Sequence, residues 1–581
     1  MVLFIKQTST MKLYLSTFLI ALLLISNSAT AQVNISIDAT QKSHTISPMI
    51  QGHGLSYSME TDSIYTTGVM AQLFQDVGAG FLRWPGGTTA TMYHWNDLSA
   101  GWTDNWNPEY PEAWDPEPWQ YMDLDEYMTL SNAAGTASML GINMSSGMEW
   151  HREADGLNEA VDLIKYCQSK NFDAKYFYLD NEPYHDGNGY NKDLAGDGGE
   201  WTPTIYAQKF NLYADSIRKY VPDAVLFANW KEHLRDNTSA YKTILRIAGD
   251  HIDYMDVHWY WKWGAASWDA WIAKTPMENE TEWYDGGTYV EETAFFNNLA
   301  VSAGQSHIKL ASLEWNIAPG GHNANPDHTD FKTALMQSEM QMQMMQAGIE
   351  FASMWTTHWP NSSESEFLQL INSDDNYAPS AAAAMFQIYK NARNGVVLKS
   401  SCTDSKVLTT SVLKEGNKAS VFILNKNNSE TEMNISINAM DIKSLEQALC
   451  FQDPGVTEDI NVQVENASST VTVPEYSLTM IEFLVEETDA SSIYELNQEE
   501  EKIELYPNPA SNAVTVKTNR LEGNTNLELY NVRGDIVFSQ RFNSQQTGNY
   551  EFSVLHLPIG TYFINIIDDK GQRFGNKLMI K

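Results

Sequence analysis

At 581 residues the chain is too long for one hydrophobic core, and ordinary domain sizes point to about three. A hydrophobic content of 43% argues for a folded chain, and a formal net charge of −37 argues against nucleic acid or an anionic membrane surface as partner, since both are bound through basic patches. Cys167, Cys402 and Cys450 form no disulfide framework and stand at no metal-ligand spacing, so no metal and no cofactor is expected; Cys402 and Cys450 could pair in an exported chain.

The N-terminus predicts an export signal over residues 1–31. Lys12 precedes the apolar run Leu13 to Ile25, and Ala29-Thr30-Ala31 offers a small-x-small cleavage site before Gln32; Met11 is an alternative start. That run is too short for a transmembrane segment, and no later stretch is long enough for one. Val33 to Asp38 then alternates apolar and polar residues as a half-exposed strand does.

From about Gln51 to residue 394, strand-like runs alternate with helix-like ones. The strand runs are the stretch near Gln51, Gly80 to Trp84, Ser138 to Asn143, Tyr176 to Leu179, Ala224 to Asn229, Tyr254 to Tyr260, Ile308 to Leu313 and Gly348 to Trp355. Plausible helices include Leu157 to Lys170, Thr204 to Tyr220 and Phe331 to Ala347; methionines 336, 340, 342, 344 and 345 in the last have the spacing of core packing. Eight strand–helix repeats predict an α/β fold, a (β/α)8 TIM barrel over residues 32–394 whose first strand could join the next domain, with its chemistry at the C-terminal strand ends. Residues 395–485 turn to short strands with Asn-rich turns and predict an accessory antiparallel β-sandwich; 486–502 is an acidic linker, and 503–581 a small C-terminal β-sandwich.

Two of the predicted barrel strands deliver a carboxylate to their ends. Tyr176-Phe177-Tyr178-Leu179 runs into Asp180-Asn181-Glu182-Pro183, and Ile308 to Leu313 runs into Glu314-Trp315-Asn316. Two carboxyls across one cleft can split a glycosidic bond, one protonating the leaving oxygen and the other opposing the developing positive charge. A cation beside Glu314 would keep it ionised, and like-charge repulsion would raise the pKa of Glu182 so that it acts as acid. Glu60, His53 and Glu149 also lie near predicted strand ends and read as subsite or structural groups. Trp95, Trp102, Trp106, Trp114 and Trp119, and then Trp259, Trp261, Trp263, Trp268 and Trp271, could either stack on sugar rings or cement long barrel loops.

Asn181-Glu182-Pro183 at the fourth strand and Glu314 at the seventh form a pattern that resembles glycoside hydrolase clan A, whose members are retaining (β/α)8 enzymes. Leu82-Arg83-Trp84-Pro85-Gly86-Gly87 is similar to the second-strand arginine motif of families 51, 39 and 79, and most of all family 51. The resemblance implies Glu182 as acid/base and Glu314 as nucleophile. It further implies Arg83 supporting Glu314, Asn181 binding the sugar beside the scissile bond, Tyr260 or His258 hydrogen-bonding the nucleophile, and Asn143 and Trp355 as further substrate-binding residues. Two positions depart from family 51: Leu179-Asp180 stands where Ile-Gly is usual, and Leu313 where Asp is often found.

The tail runs Leu505-Tyr506-Pro507-Asn508-Pro509-Ala510, then Leu527 to Gly534, then Leu557-Pro558-Ile559-Gly560-Thr561-Tyr562, and ends Lys577 to Lys581. It resembles the type A C-terminal sorting domain of the type IX secretion system, which implies that machinery as a partner and a secreted or cell-surface location. The combined expectation is a secreted retaining hydrolase of plant or algal cell-wall polysaccharide, most like an arabinofuranosidase or xylosidase. The alternatives are an endo-acting agarase- or porphyranase-type galactan hydrolase and, in a different class, a non-catalytic surface glycan-binding protein.

Overall fold

The first ordered strand, β1 (Val33–Thr45), buries Ile35, Ile37 and Ala39 on one face, as its alternating sequence predicts. In the computed structural model, which describes residues 32–57, 68–97, 104–107, 121–184, 201–231, 233–280, 284–319, 330–358, 369–372, 378–453, 455–488, 504–518, 524–531, 536–543, 548–567 and 573–581, β1 does not enter the barrel. It pairs antiparallel with Val396–Cys402 and parallel with Thr431–Asn438. The expected signal peptide, Glu60, Trp102, Trp114, Trp119 and most of the acidic linker lie outside the described residues. The chain divides into two units, residues 1–487 and 488–581.

The barrel is a closed parallel sheet. Its strands in order are β2 (Gly52–Gly54), β3 (Phe81–Trp84), β4 (Ala137–Ile142), β5 (Ala174–Leu179), β6 (Val225–Asn229), β7 (Tyr254–Asp256), then β9 (Lys309–Pro319) and β10 (Ala352–Met354), which pairs with both β9 and β2; β8 (Trp259–Ala266) adds to β9 beyond the end of β7. All four residues of β3 are buried, as expected for a strand covered on both faces. Phe351 fills the interior below the strand ends, with the rings of Phe81, Tyr176, Phe227 and Tyr254 centred 4.9–5.6 Å from it. The sequence run Gly348 to Trp355 yields only a three-residue strand, preceded by Phe351, whose carbonyl accepts from Ser312 N at 3.0 Å while its ring plugs the interior.

Two tyrosines from surrounding helices brace the strand tops. The Tyr127 hydroxyl donates to Leu82 O at 2.7 Å and accepts from Met139 N at 2.9 Å, tying β3 to β4. The Tyr206 hydroxyl donates to Leu179 O at 3.0 Å and accepts from Asn229 N at 2.8 Å, tying β5 to β6. Each hydroxyl satisfies one backbone carbonyl and one backbone N–H of the two strands it joins.

The helix Asp330–Ala347 is buried from Thr333 to Met345, its methionines and Gln337, Glu339, Gln341 and Gln343 all at 0–2% exposure. One side meets β9 and another the sandwich strands. Those strands form a single ten-stranded, mostly antiparallel sheet and not two separate ones. The sheet curls over so that Ile442 and Phe483 share a core with Ile35, Ile435 and Val471. In the C-terminal unit, a three-stranded and a four-stranded sheet enclose a core of Val514, Val516 and Phe552 with Leu527, Ile564 and Leu578. The three cysteines are free, so the considered Cys402–Cys450 pairing does not form; the Cys450 sulfur instead accepts from the Thr479 hydroxyl.

His53 on β2 is fully buried between Phe74 and Phe386, and neither ring nitrogen has a hydrogen-bond partner. Burial holds its pKa down at about 3, so it is neutral in the fold and protonates in the unfolded chain below the ordinary value of 6.5. The stability tied to this neutral ring is complete above pH 6.5 and is lost as pH falls towards 3. His53→Leu is therefore expected to gain roughly 3 kcal/mol on the wild type between pH 7 and pH 4, read from urea unfolding curves at the two pH values.

Candidate active site

β5 ends at Leu179 and the chain turns sharply, Asp180 at φ +66° and Glu182 at φ +45°. The left-handed conformation explains why glycine suits position 180; an aspartate tolerates it better than most side chains. Asp180 is anchored by the Ser145 hydroxyl at 2.5 Å, and burial pushes its carboxyl up to about 7. The turn aims Asn181 and Glu182 into the barrel mouth. The Glu182 backbone N–H donates to Asn229 Oδ1 at the end of β6 at 2.8 Å, which fixes the loop.

Glu314 sits opposite, on β9. It accepts from Arg83 Nη1 at 2.6 Å and from the Tyr260 hydroxyl at 2.6 Å, and its side chain is only 6% exposed. Arg83, buried on β3, also donates through Nη2 to Asn181 Oδ1 at 2.6 Å and lies over the Tyr178 ring at 4.3 Å. Thus one guanidinium orients both motifs that the sequence singles out. Burial alone would raise the Glu314 pKa, but the charges of His258 and Arg83 and the hydrogen bonds from Tyr260 and Arg83 outweigh it and hold the carboxyl below its usual range. Burial also opposes the Arg83 charge, while Tyr178, Glu314 and Asp256 raise its pKa overall.

His258 stands between the acids. Nδ1 is 2.7 Å from Glu182 Oε1 and 3.4 Å from Glu314 Oε2, and Nε2 is 3.1 Å from Asp256 Oδ2. Both ring nitrogens thus face carboxyl oxygens, an arrangement that favours an imidazolium donating from each. Burial works against that charge; Glu314 and Asp256 override it and lift the pKa well above normal. A Glu182 oxygen and a Glu314 oxygen lie within 4.8 Å of each other. Glu182 is the more open acid, its side chain 18% exposed, with the Tyr184 hydroxyl 3.3 Å from Oε1.

The remaining expected residues are placed differently. Asn143 does not turn into the pair: its Nδ2 donates to Ser146 Oγ at 2.8 Å and Tyr93 O at 3.3 Å, and its Oδ1 accepts from Ser146 N, so it caps a short turn below the mouth. Trp355 is 8% exposed and stacks over Pro-Gly-Gly; a Cβ on Gly87 would meet its ring at 2.6 Å, and Gly86 and Gly87 both have positive φ. That close approach accounts for Gly87, whereas Gly86 lies against the Leu55 carbonyl oxygen, which a Cβ there would overlap. Of the second tryptophan cluster, Trp259, Trp261 and Trp271 are 0–1% exposed and pack the loops, whereas Trp263 is 46% exposed beside Tyr260, ring centroids 5.2 Å apart. Trp106 covers Arg152 at 4.0 Å, and Trp95 donates to Glu159 O.

Asp256 and Asn229 were not singled out by sequence, although both stand in the predicted strand runs. The available signal was an acid in the otherwise apolar stretch before His258 and an amide at a strand end. Their partners come from four strands, which no local pattern reveals.

Residues 504–581 match the family model described as the secretion system C-terminal sorting domain, which marks the chain for export to the cell surface or beyond. No helix among the described residues is long and apolar enough to cross a membrane. Over 211 residues the chain is 24% identical to an intracellular exo-alpha-(1->5)-L-arabinofuranosidase of Bifidobacterium longum; the match covers 32% of this chain and spans 33% of that relative's length. Among solved structures, the alpha-L-arabinofuranosidase of Thermotoga maritima in complex with arabinose superposes with a TM-score of 0.58 at 16% identity, covering 78% of this chain and 99% of that one. The family 51 alpha-L-arabinofuranosidase AbfB of Bifidobacterium longum gives 0.59 at 16% identity, covering 79% and 100%. At these identities the likeness establishes a shared fold, a TIM barrel with its accessory β-domain.

Proposed function

We propose that the protein is an exported retaining glycoside hydrolase of plant or algal cell-wall polysaccharide, with arabinofuranosyl or xylosyl linkages as its first substrate class. One observation carries the reading: two carboxyls within 4.8 Å of each other across a barrel mouth. Roughly 5 Å suits covalent double displacement, whereas direct attack by water needs roughly 6.5–9.5 Å between the acids.

In this reading Glu314, held ionised by Arg83, attacks the anomeric carbon while Glu182 gives its proton to the departing oxygen. The C–O bond to the leaving group breaks as the ester bond to Glu314 forms. Glu182, now a carboxylate, then takes a proton from water, whose oxygen displaces Glu314 and restores both acids. Two inversions leave the configuration unchanged. Asn181, oriented by Arg83, is placed to bind a hydroxyl next to the scissile bond.

Incubation with aryl α-L-arabinofuranoside and β-xyloside, arabinan, xylan, agarose and porphyran, followed by product chromatography and NMR of the first-formed anomer, tests it. Arabinose or xylose released with retention is expected. Inverted product would rule out the mechanism, oligosaccharides from agarose or porphyran would shift the reading to a galactan hydrolase, and no turnover anywhere would leave a glycan-binding protein. Burial of Trp259, Trp261 and Trp271 takes those three out of any row of sugar platforms. Trp263 alone among the described members of that second cluster combines exposure with a place beside Tyr260. Trp263→Ala is expected to raise KM about tenfold on an oligosaccharide and to leave a small aryl glycoside nearly unaffected, consistent with the loss of one stacking contact.

A further inference from the structure

Asp256 is 1% exposed and accepts from three groups that belong to three different parts of the site. Asn229 Nδ2 donates to Oδ2 at 2.8 Å, His258 Nε2 lies 3.1 Å from the same oxygen, and Leu313 N donates to Oδ1 at 2.6 Å. The third bond has a geometric origin. β7 stops at Asp256, opposite Ala311, and β8 resumes pairing at Trp259, opposite Trp315, so two intervening residues on one side face three on β9. The break leaves Leu313 N without a ladder partner, and the Asp256 carboxylate takes its place.

We propose that Asp256 is a positioning residue common to both reacting acids, holding the Glu182 loop through Asn229, the Glu314 backbone through Leu313 N–H, and the His258 ring between them. Each arm ends one covalent or hydrogen-bonded step from an acid. Asn229 Oδ1 receives the Glu182 N–H, Leu313 precedes Glu314, and His258 faces Glu182 at 2.7 Å and Glu314 at 3.4 Å. A neutral residue of the same shape would keep the cavity filled and lose the negative charge that faces the imidazolium from β7. The other groups facing that ring are Glu182 from the loop after β5 and Glu314 from β9, the latter already shared with Arg83 and Tyr260.

The proposal rests on the hydrolase reading for its activity arm but not for its spectroscopic one. In Asp256→Asn, kcat/KM on an aryl glycoside is expected to fall about 100-fold, the size of effect that a misplacement of about 1 Å produces. Histidine-selective labelling of the full chain, with the His258 signal assigned from His258→Gln, follows the ring without substrate. Its titration is expected to move to lower pH by about one unit or more in Asp256→Asn. Asn229→Ser cuts only the Glu182 arm; it is expected to lower kcat/KM while leaving the His258 titration in place, and combining it with Asp256→Asn should cost less than the product of the two single losses. An unmoved His258 titration in Asp256→Asn, or fully multiplicative losses in the double variant, overturns the proposal. A wild type that turns over nothing overturns the hydrolase reading and leaves the titration to decide on Asp256. Should Asp256→Asn not fold, Asn229→Ser decides alone: activity within threefold of wild type overturns the shared-positioning role.

Discussion

Glu314→Gln is expected to lower kcat on an aryl glycoside by on the order of 10⁴-fold or more while the far-ultraviolet circular dichroism of the barrel is retained. The amide has nearly the same shape: its oxygen keeps the bond from Arg83, and the NH2 in place of Oε2 donates to the Tyr260 hydroxyl, which turns from donor to acceptor, so the pocket needs little rearrangement. What disappears is the lone-pair charge that forms the ester bond, and among the described residues the neighbouring Asp256 and Asp180 do not supply it. Asp256 is committed to Asn229, His258 and Leu313, and Asp180 is turned away to Ser145. Glu182→Gln has a different signature: glycosides with poor leaving groups lose most activity, whereas an aryl glycoside with a good one retains its first step. Adding azide, which needs no general base, then releases a glycosyl azide of retained configuration. Glu314→Gln keeping more than about one hundredth of wild-type activity would remove it as nucleophile.

The elements that sequence made legible were those whose cause is local. Apolar runs such as Phe81–Trp84 and Ala174–Leu179 became barrel strands because burial on both faces demands them; Glu182 was visible because polar residues follow where β5 ends, and Glu314 because a carboxylate interrupts the apolar run of β9, which itself continues to Pro319. Arg83 was legible through its Pro-Gly-Gly neighbours, and the structure supplies the reason for the two glycines in the Leu55 carbonyl and the Trp355 ring. The supporting layer was not. Asn143 shares its strand end with the active-site side of the barrel, but its amide finds Ser146 and Tyr93 closer by, and such a choice between local and distant partners leaves no mark in composition. The tryptophans show the same limit: Trp261 and Trp263 are two residues apart, yet one is sealed beneath the loops and the other faces the rim, because the turn at Lys262, with φ +47°, separates their directions.

Lys426→Met is expected to destabilise the 1–487 unit by roughly 3–5 kcal/mol, the cost of leaving a buried charge without its partner. Lys426 and Glu339 are both 0% exposed at the seam between barrel and accessory sheet, with Nζ 2.9 Å from Oε2. Lys426 also donates to Lys274 O at 2.8 Å and lies 4.3 Å over the Trp271 ring, while Glu339 accepts from Trp271 Nε1 at 2.5 Å and from Met277 N. Burial lowers the lysine pKa, and the adjacent Glu339 only partly restores it, so this charge is held at a cost that the carboxylate must offset. Removing the lysine strands Glu339 beside an indole; removing both with Glu339→Gln leaves no buried charge, and the single amide oxygen keeps one of the bonds from Trp271 and Met277 while the other is given up. The double variant is therefore expected to be more stable than Lys426→Met alone, with a coupling of roughly 1–3 kcal/mol between the two positions in urea unfolding of the full chain. Additive losses would show that the two groups are held separately by their other partners, and a Lys426→Met variant within about 1 kcal/mol of wild type would show that the seam is fastened by apolar contact alone, with Tyr389 on Phe422 and Phe331 on Phe451 as the pairs to truncate next.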